Sequence, residues 1–267
     1  MGLLNVWHRV ALNFTSKEAL IPQIEKKLIE GYSKISLQLK EELAYLSPLE
    51  LAQLVNRIGD ELSPLVRQSL KTYVTEQPIG EAWINMLVVE RKVETKLTAI
   101  EAIGQLRLGQ GAWPLVELLK NRNERLQMAA AKSLMALPTL PLIPGLIEGL
   151  RKKEFWLPAR VAPVILTWPD TALPLLQDIL VEEGLEEEVY QVAVEILSEA
   201  KKPKVNTFLA EIFMKHGAKI QTKILEVLCN LGAQEAEALA IKSLTSTSWQ
   251  LRLQAINILN RLQVRSL

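Results

Sequence analysis

The sequence predicts an all-α fold of stacked helix pairs, with an atypical helical cap at its N-terminal end. Three observations carry that prediction. An apolar face at positions 0, +3, +4 and +7, one side of a 3.6-residue helix, runs through Ala99, Ala102, Ile103 and Leu106. The face returns from Ala130 (Ser133, Leu134, Leu137), Ala162 (Ile165, Leu166), Ala193 (Ile196, Leu197), Ile224 (Val227, Leu228, Leu231) and Ala255 (Ile258, Leu259, Leu262). These six anchors are 31, 32, 31, 31 and 31 residues apart, the signature of repeats that bury their apolar faces on one another. No segment alternates apolar and polar residues, so no strand competes.

Composition agrees. Of 267 residues, 49% are hydrophobic and 23% charged, with aromatics at 5%, a soluble and helix-favouring balance. The net charge of +1 gives no bulk attraction to nucleic acid or acidic lipid. Cys229 is the single cysteine, which excludes an intramolecular disulfide framework and a cysteine-cluster zinc site and suits a reducing, cytoplasmic setting. No run approaches the ~20 apolar residues of a membrane span. Residues 1–14 make a poor signal peptide.

In order along the chain, residues 1–14 space Leu3, Leu4, Trp7, Val10, Ala11 and Phe14 as a short amphipathic helix. It either packs over the open end of the stack or meets a membrane surface or partner. Thr15 and Glu18 form a capping box whose helix should stop at Gly31. A second helix is expected over 33–46. Ser47, Pro48 and Glu50 open a third, ending at Gly59, and Ser63 and Pro64 open a fourth. The run 65–70 in that fourth helix reads as a degenerate first copy of the anchor helix. Residues 1–60 are therefore the off-period cap, and 61–267 a continuous array of about six to seven helix pairs. Within the array a shorter apolar helix precedes each anchor helix. Pro114, Pro144 and Pro174 recur every 30 residues, at helix starts where the missing amide costs nothing. The last two pairs lack that proline and keep the apolar spacing (Val205, Leu209, Ile212, Phe213; Ala236, Leu239, Ala240, Leu244).

The residues Lys96, Ala99, Ala102, Ile103, Gly104 and Leu106, and their counterparts Arg252, Ala255, Ile258, Leu259 and Leu262, resemble HEAT repeats. The likeness is to the short bacterial type named after phycobilisome lyases, over residues 79–263. It implies a HEAT-like right-handed α-α superhelix in which the second helix of each pair lines the concave side. The chain departs from that pattern in two ways. The family's turn aspartate is mostly missing, with Asn121 and Asn123 near its place once. Its basic residue is replaced by Gln127, Ala159, Tyr190 and Gln221.

On the second helices, position +2 points away from the buried face. It holds Glu101, Lys132, Val164, Glu195, Glu226 and Asn257, one positive and three negative charges. Position +5 holds Gly104, Met135, Thr167, Ser198, Cys229 and Asn260, all uncharged. Such a groove disfavours a phosphate backbone and suits a helix or loop of another protein; singly, each of these residues is also an ordinary solvated position. The segment with Trp156, Pro158, Arg160 and Pro163 is the odd repeat. Trp156 and Arg160 form either a partner-binding pocket or inter-repeat filling. Glutamates at 182–188 and the basic residues at 151–153 and 201–204 read as helix-dipole capping or as a charged docking patch.

No catalytic motif occurs. His8 and His216 cannot form a ligand set, Cys229 has no activating neighbour, and no phosphate loop, dinucleotide fingerprint or nucleophile elbow is present. No catalytic residue, metal or cofactor is expected. The leading expectation is a non-enzymatic, cytoplasmic protein-binding scaffold. The alternatives are a chromophore lyase, from the family name, a glycosylase on helical repeats, and a soluble module of a membrane system that touches membrane only through residues 1–14.

Overall fold

Among the described residues the apolar periodicity is realised as helices. The computed structural model describes residues 17–31, 34–137, 140–151 and 158–265, which group into two compact units, one within 1–139 and one within 140–267. Residues 1–14 lie outside the described residues.

Unit one contains α1 (Lys17–Ile29), α2 (Leu37–Leu43), α3 (Pro48–Ile58), α4 (Pro64–Glu76), α5 (Ile79–Val89), α6 (Val93–Leu106), α7 (Ala112–Leu118) and α8 (Glu124–Ala136). Local chemistry sets the boundaries. The Ser36 hydroxyl accepts from the Leu39 amide at 3.1 Å, so α2 starts later than expected. Ser47 and Glu50 form a capping box with bonds of 2.7 and 3.3 Å, and Ser63 caps α4. The core is a row of second helices, α3 against α6 and α6 against α8, with α5 and α7 packed beside them. The helix that stacks broadly on α6 is thus α3, not α4, where the expected degenerate copy falls. Both helices bury an apolar face, Leu51, Leu54, Val55 and Ile58 on α3 and Val66, Leu70, Tyr73 and Val74 on α4; α3 lays its face along α6, while α4 divides its packing between α5 and α6. Trp83 on α5 is fully buried and its indole donates to the Pro48 carbonyl at 2.7 Å, pinning α5 to the start of α3.

Unit two contains α9 (Ile143–Arg151), α10 (Pro158–Ile165), α11 (Pro169–Val181), α12 (Glu187–Glu199), α13 (Pro203–Ile212), α14 (Ala218–Asn230), α15 (Glu235–Ser243) and α16 (Trp249–Arg265). Second helices again stack in sequence, α10 on α12, α12 on α14 and α14 on α16, while α9 packs on α11 and α13 on α15. Each unit is therefore an all-α stack of helix pairs, an α-solenoid. Among the described residues there is no strand, and no helix is long and apolar enough to cross a membrane.

Two expected positions move in unit two. Val164 is fully buried with Val161 and Ile165, while Pro163 is exposed. The anchor of this copy is therefore Val161, one residue earlier than expected, and Pro163 takes the outward place assigned to Val164. The shift puts Pro163, which lacks an amide donor in the helix interior, on the solvent side. Pro174 is inside α11, not in its first turn, because Pro169 and Asp170 start that helix earlier. Pro203 supplies the first-turn proline of α13 that seemed to be missing.

A polar device repeats three residues before most anchors. Lys96 Nζ donates to the Leu87 carbonyl at 2.7 Å, and Gln127 Nε2 to that of Asn121 at 2.7 Å. The Tyr190 hydroxyl donates to the Glu182 carbonyl at 2.7 Å and accepts from the Leu185 amide at 3.1 Å. Arg252 Nη1 donates to the carbonyls of Ser246 at 2.7 Å and Thr247 at 3.0 Å. Four different side chains thus perform one task, satisfying backbone groups in the connection that precedes their own helix or, for Lys96, in the last turn of the helix before it.

Candidate functional site

The second helices carry an open cleft in each unit. In unit one a close approach of α6 and α8 prepares it. Gly104 on α6 faces Ser133 on α8 so tightly that a Cβ at 104 would lie 2.6 Å from the Ser133 hydroxyl. Ser133 donates to the Ile100 carbonyl at 3.0 Å across this contact. Above it opens a cleft of about 240 Å³ lined by Glu101, Gly104, Gln105, Lys132 and Ser133, with Arg67 and Arg107 at its side. The predicted residues Glu101 and Lys132 are thus brought together as its two walls, both exposed. Glu101 accepts from Asn56 Nδ2 at 3.3 Å, which ties α6 to α3. A neighbouring recess of about 360 Å³ shares Arg67 and Arg107 and adds Lys71.

Two of these cations are placed by backbone geometry. Arg67 Nη2 donates to the Gly59 carbonyl at 2.6 Å, satisfying the end of α3. Arg107 ends α6 in the left-handed conformation, φ 54° and ψ 52°, with the Leu108 amide bonded to the Ile103 carbonyl at 3.0 Å. Glycine normally takes that place. The sequence pattern missed both, because α4 is off-period and the helix end carries no glycine signal. Within unit one the +2 row, Glu101 and Lys132, is balanced in charge; Arg67 and Arg107 beside the cleft and Lys71 in the neighbouring recess make this side basic.

In unit two a cleft of about 480 Å³ is lined by Gln191, Lys219, Thr222, Lys223, Glu226, Ser248 and Gln250, from α12, α14 and the start of α16. Predicted Glu226 is exposed on its wall. Predicted Glu195 lies beside it, 4.0 Å from Lys223. Asn257 is exposed on α16 but does not line the cleft. Lys219 bonds Glu187 at 3.0 Å and lies 3.8 Å from Glu188; the Glu187 hydrogen bond holds its ammonium above the ordinary lysine range. Arg151 likewise pairs with Glu182 at 3.2 Å. These acidic residues are therefore engaged in ion pairs roughly one repeat apart. Trp156 and the Arg160 side chain lie outside the described residues; the Arg160 backbone is in α10.

The histidine and thiol are committed elsewhere. His216 Nε2 bonds the Leu180 carbonyl at 2.9 Å and its ring meets Tyr190 edge-on at 4.9 Å. Cys229, expected on the groove side, is fully buried. Among the described residues no group of three or more His, Cys, Asp or Glu side chains could hold a metal ion. The chemistry the clefts offer is recognition by ammonium, guanidinium, carboxylate, amide and hydroxyl groups.

Comparison with protein-family models and with curated proteins finds no match. Among solved structures, an engineered protein from the Northeast Structural Genomics Consortium is 16% identical, with 91% of this chain and 97% of that one covered and a TM-score of 0.30. A designed armadillo-repeat protein is 15% identical, with 90% and 98% covered and a TM-score of 0.31. At those scores the helix stacking itself, not the likeness, carries the fold.

Proposed function

We propose that the chain is a HEAT-type, non-enzymatic scaffold that holds a segment of another protein against its second helices. The observation that carries this reading is that Glu101 and Lys132 form opposite walls of one cleft, with Glu226 on the wall of its counterpart. Mixed charges at the rim of a shallow cleft suit a peptide segment whose polar groups must be matched. The test is affinity capture from the native source with the intact chain, Lys132→Glu, Glu226→Lys and a control reversal at exposed Glu117 on α7. A partner retained by the wild type and the control but lost with either cleft variant supports the reading. A partner indifferent to both cleft variants refutes it.

The cations Arg67, Lys71, Arg107 and Lys132 favour a second reading, an anionic polymer such as duplex DNA on unit one. Binding that falls steeply with salt and with Arg107→Glu would select it.

A further inference from the structure

The last helix pair exposes a face that every earlier pair in unit two covers. At the end of each first helix stand Leu150, Leu180, Phe213 and Leu244; the first three are at most 6% exposed and Leu244 is 38% exposed. Following the expected anchor come Val194, Leu225 and Ile256, and the earlier copy at this place holds Ala162. All are buried except Ile256, which is 55% exposed. Ile241, Trp249 and Leu253 are exposed beside them, with Trp249, Leu253 and Ile256 at 0, +4 and +7 on one side of α16. The residues one repeat earlier are Ala210, Ala218 and Thr222, all half-buried. The face on α15 and α16 is therefore the inter-repeat surface itself, continued one step beyond the last described pair.

We propose that a second copy of this chain covers this face, as a two-fold dimer that stacks α15 on α15 and α16 on α16, each antiparallel. Three features argue for it. The five apolar side chains present on the order of 450 Å², when an aromatic spans 150–250 Å² and an aliphatic chain somewhat less. A standard interface takes about 800 Å² from each partner, so they supply an apolar core that a polar rim of Thr245, Gln250 and Asn260 completes. The charges are self-complementary. An antiparallel α15 pair centred between Leu239 and Ala240 sets Glu237 of one copy opposite Lys242 of the other, both exposed, and Ile241 opposite Ala238. The two helices also agree on one axis. That centre and Leu253 on α16 lie on either side of the connecting turn at similar distances, about one helical turn from it. A single two-fold through both points pairs Leu253 with its own copy. Because the contact is isologous it closes at two subunits.

Sedimentation velocity of the full chain over a micromolar concentration series tests this. The expected species has twice the 30.0 kDa chain mass. Ile256→Glu should weaken it at least ~100-fold, since it places a carboxylate in the apolar centre, while its exposure in the single chain leaves the helical circular-dichroism spectrum unchanged. Leu253→Cys should oxidise nearly completely to a covalent dimer, because the two-fold sets the two thiols beside each other and buried Cys229 cannot compete. A monomer at every concentration overturns the proposal, as does a dimer indifferent to Ile256→Glu. Species sedimenting beyond two chains would mean a head-to-tail contact and also overturn it. So would a monomer that dimerises only when residues 1–16 are deleted, which would give the face to the chain's own N-terminal segment.

Discussion

Truncating Val164 to alanine should destabilise unit two by about 2 kcal/mol, whereas Pro163→Ala next to it should stabilise the same unit. Val164 is fully buried on α10. Removing two methyl groups forfeits ~1.6 kcal/mol of burial at ~0.8 per methyl, and incomplete collapse of the cavity adds a few tenths. Pro163 is exposed within the same helix. Alanine there restores an amide that can bond the Ala159 carbonyl, and proline is ~3 kcal/mol poorer than alanine in a helix interior. The greater freedom of the unfolded alanine chain takes back ~0.4–1 kcal/mol, leaving a gain of about 2 kcal/mol. Urea titrations followed by circular dichroism, with thermal melts alongside, read both variants. A change of ~2 kcal/mol moves a melting temperature by roughly 4–8 °C at this size. A neutral Val164→Ala paired with a destabilising Pro163→Ala would refute the burial assigned to this helix and return its anchor to Ala162.

Three further outcomes follow from the same geometry. Gly104→Ala should destabilise unit one by about 1–2 kcal/mol in urea titration, because overpacking against Ser133 outweighs the ~1 kcal/mol gain in helix propensity. Tyr190→Phe should cost about 1 kcal/mol and speed amide exchange at Leu185, whose N–H loses its acceptor. Arg125 bonds Glu94 at 2.6 Å and holds its carboxyl below the ordinary 4.5, first by that hydrogen bond and then by charge attraction. The folded value is depressed, so the contribution is present above the ordinary carboxylate value and lost as pH falls through the lowered one. Glu94→Gln should therefore be less stable than the wild type at neutral pH, and the gap should close on acidification, as melts across a pH series would show.

The 31-residue period was legible because each anchor sits on a narrow small-residue face, and Ala99, Ala130, Ala193, Ile224 and Ala255 are all fully buried. The wheel also sorted Glu101, Lys132, Glu195, Glu226 and Asn257 to the outside. It failed at α10, where Val161, Ala162, Val164 and Ile165 are all apolar and the pattern admits two neighbouring registers. Burial of Val161 and exposure of Pro163 decide between them only once neighbours are in place. It failed again for Arg67 and Arg107, since helix periodicity says nothing about an off-period helix or a left-handed helix end without glycine. The turn-tying role of Gln127 and Tyr190 was hidden for a chemical reason. An amide and a phenol can each donate to a carbonyl as a lysine or arginine does, so the shared task leaves no shared letter.

That task has a consequence for engineering the chain. Tyr190 grips both flanks of the α11–α12 connection, Glu182 and Leu185, so the loop is held shut outside the two residues between them. Gly184, at φ 84°, has nothing within 4 Å of where a side chain would stand. The connection is an insertion port: a reporter peptide or a small domain spliced beside Gly184 would hang from a clasp that is already shut, leaving the helices on either side in register.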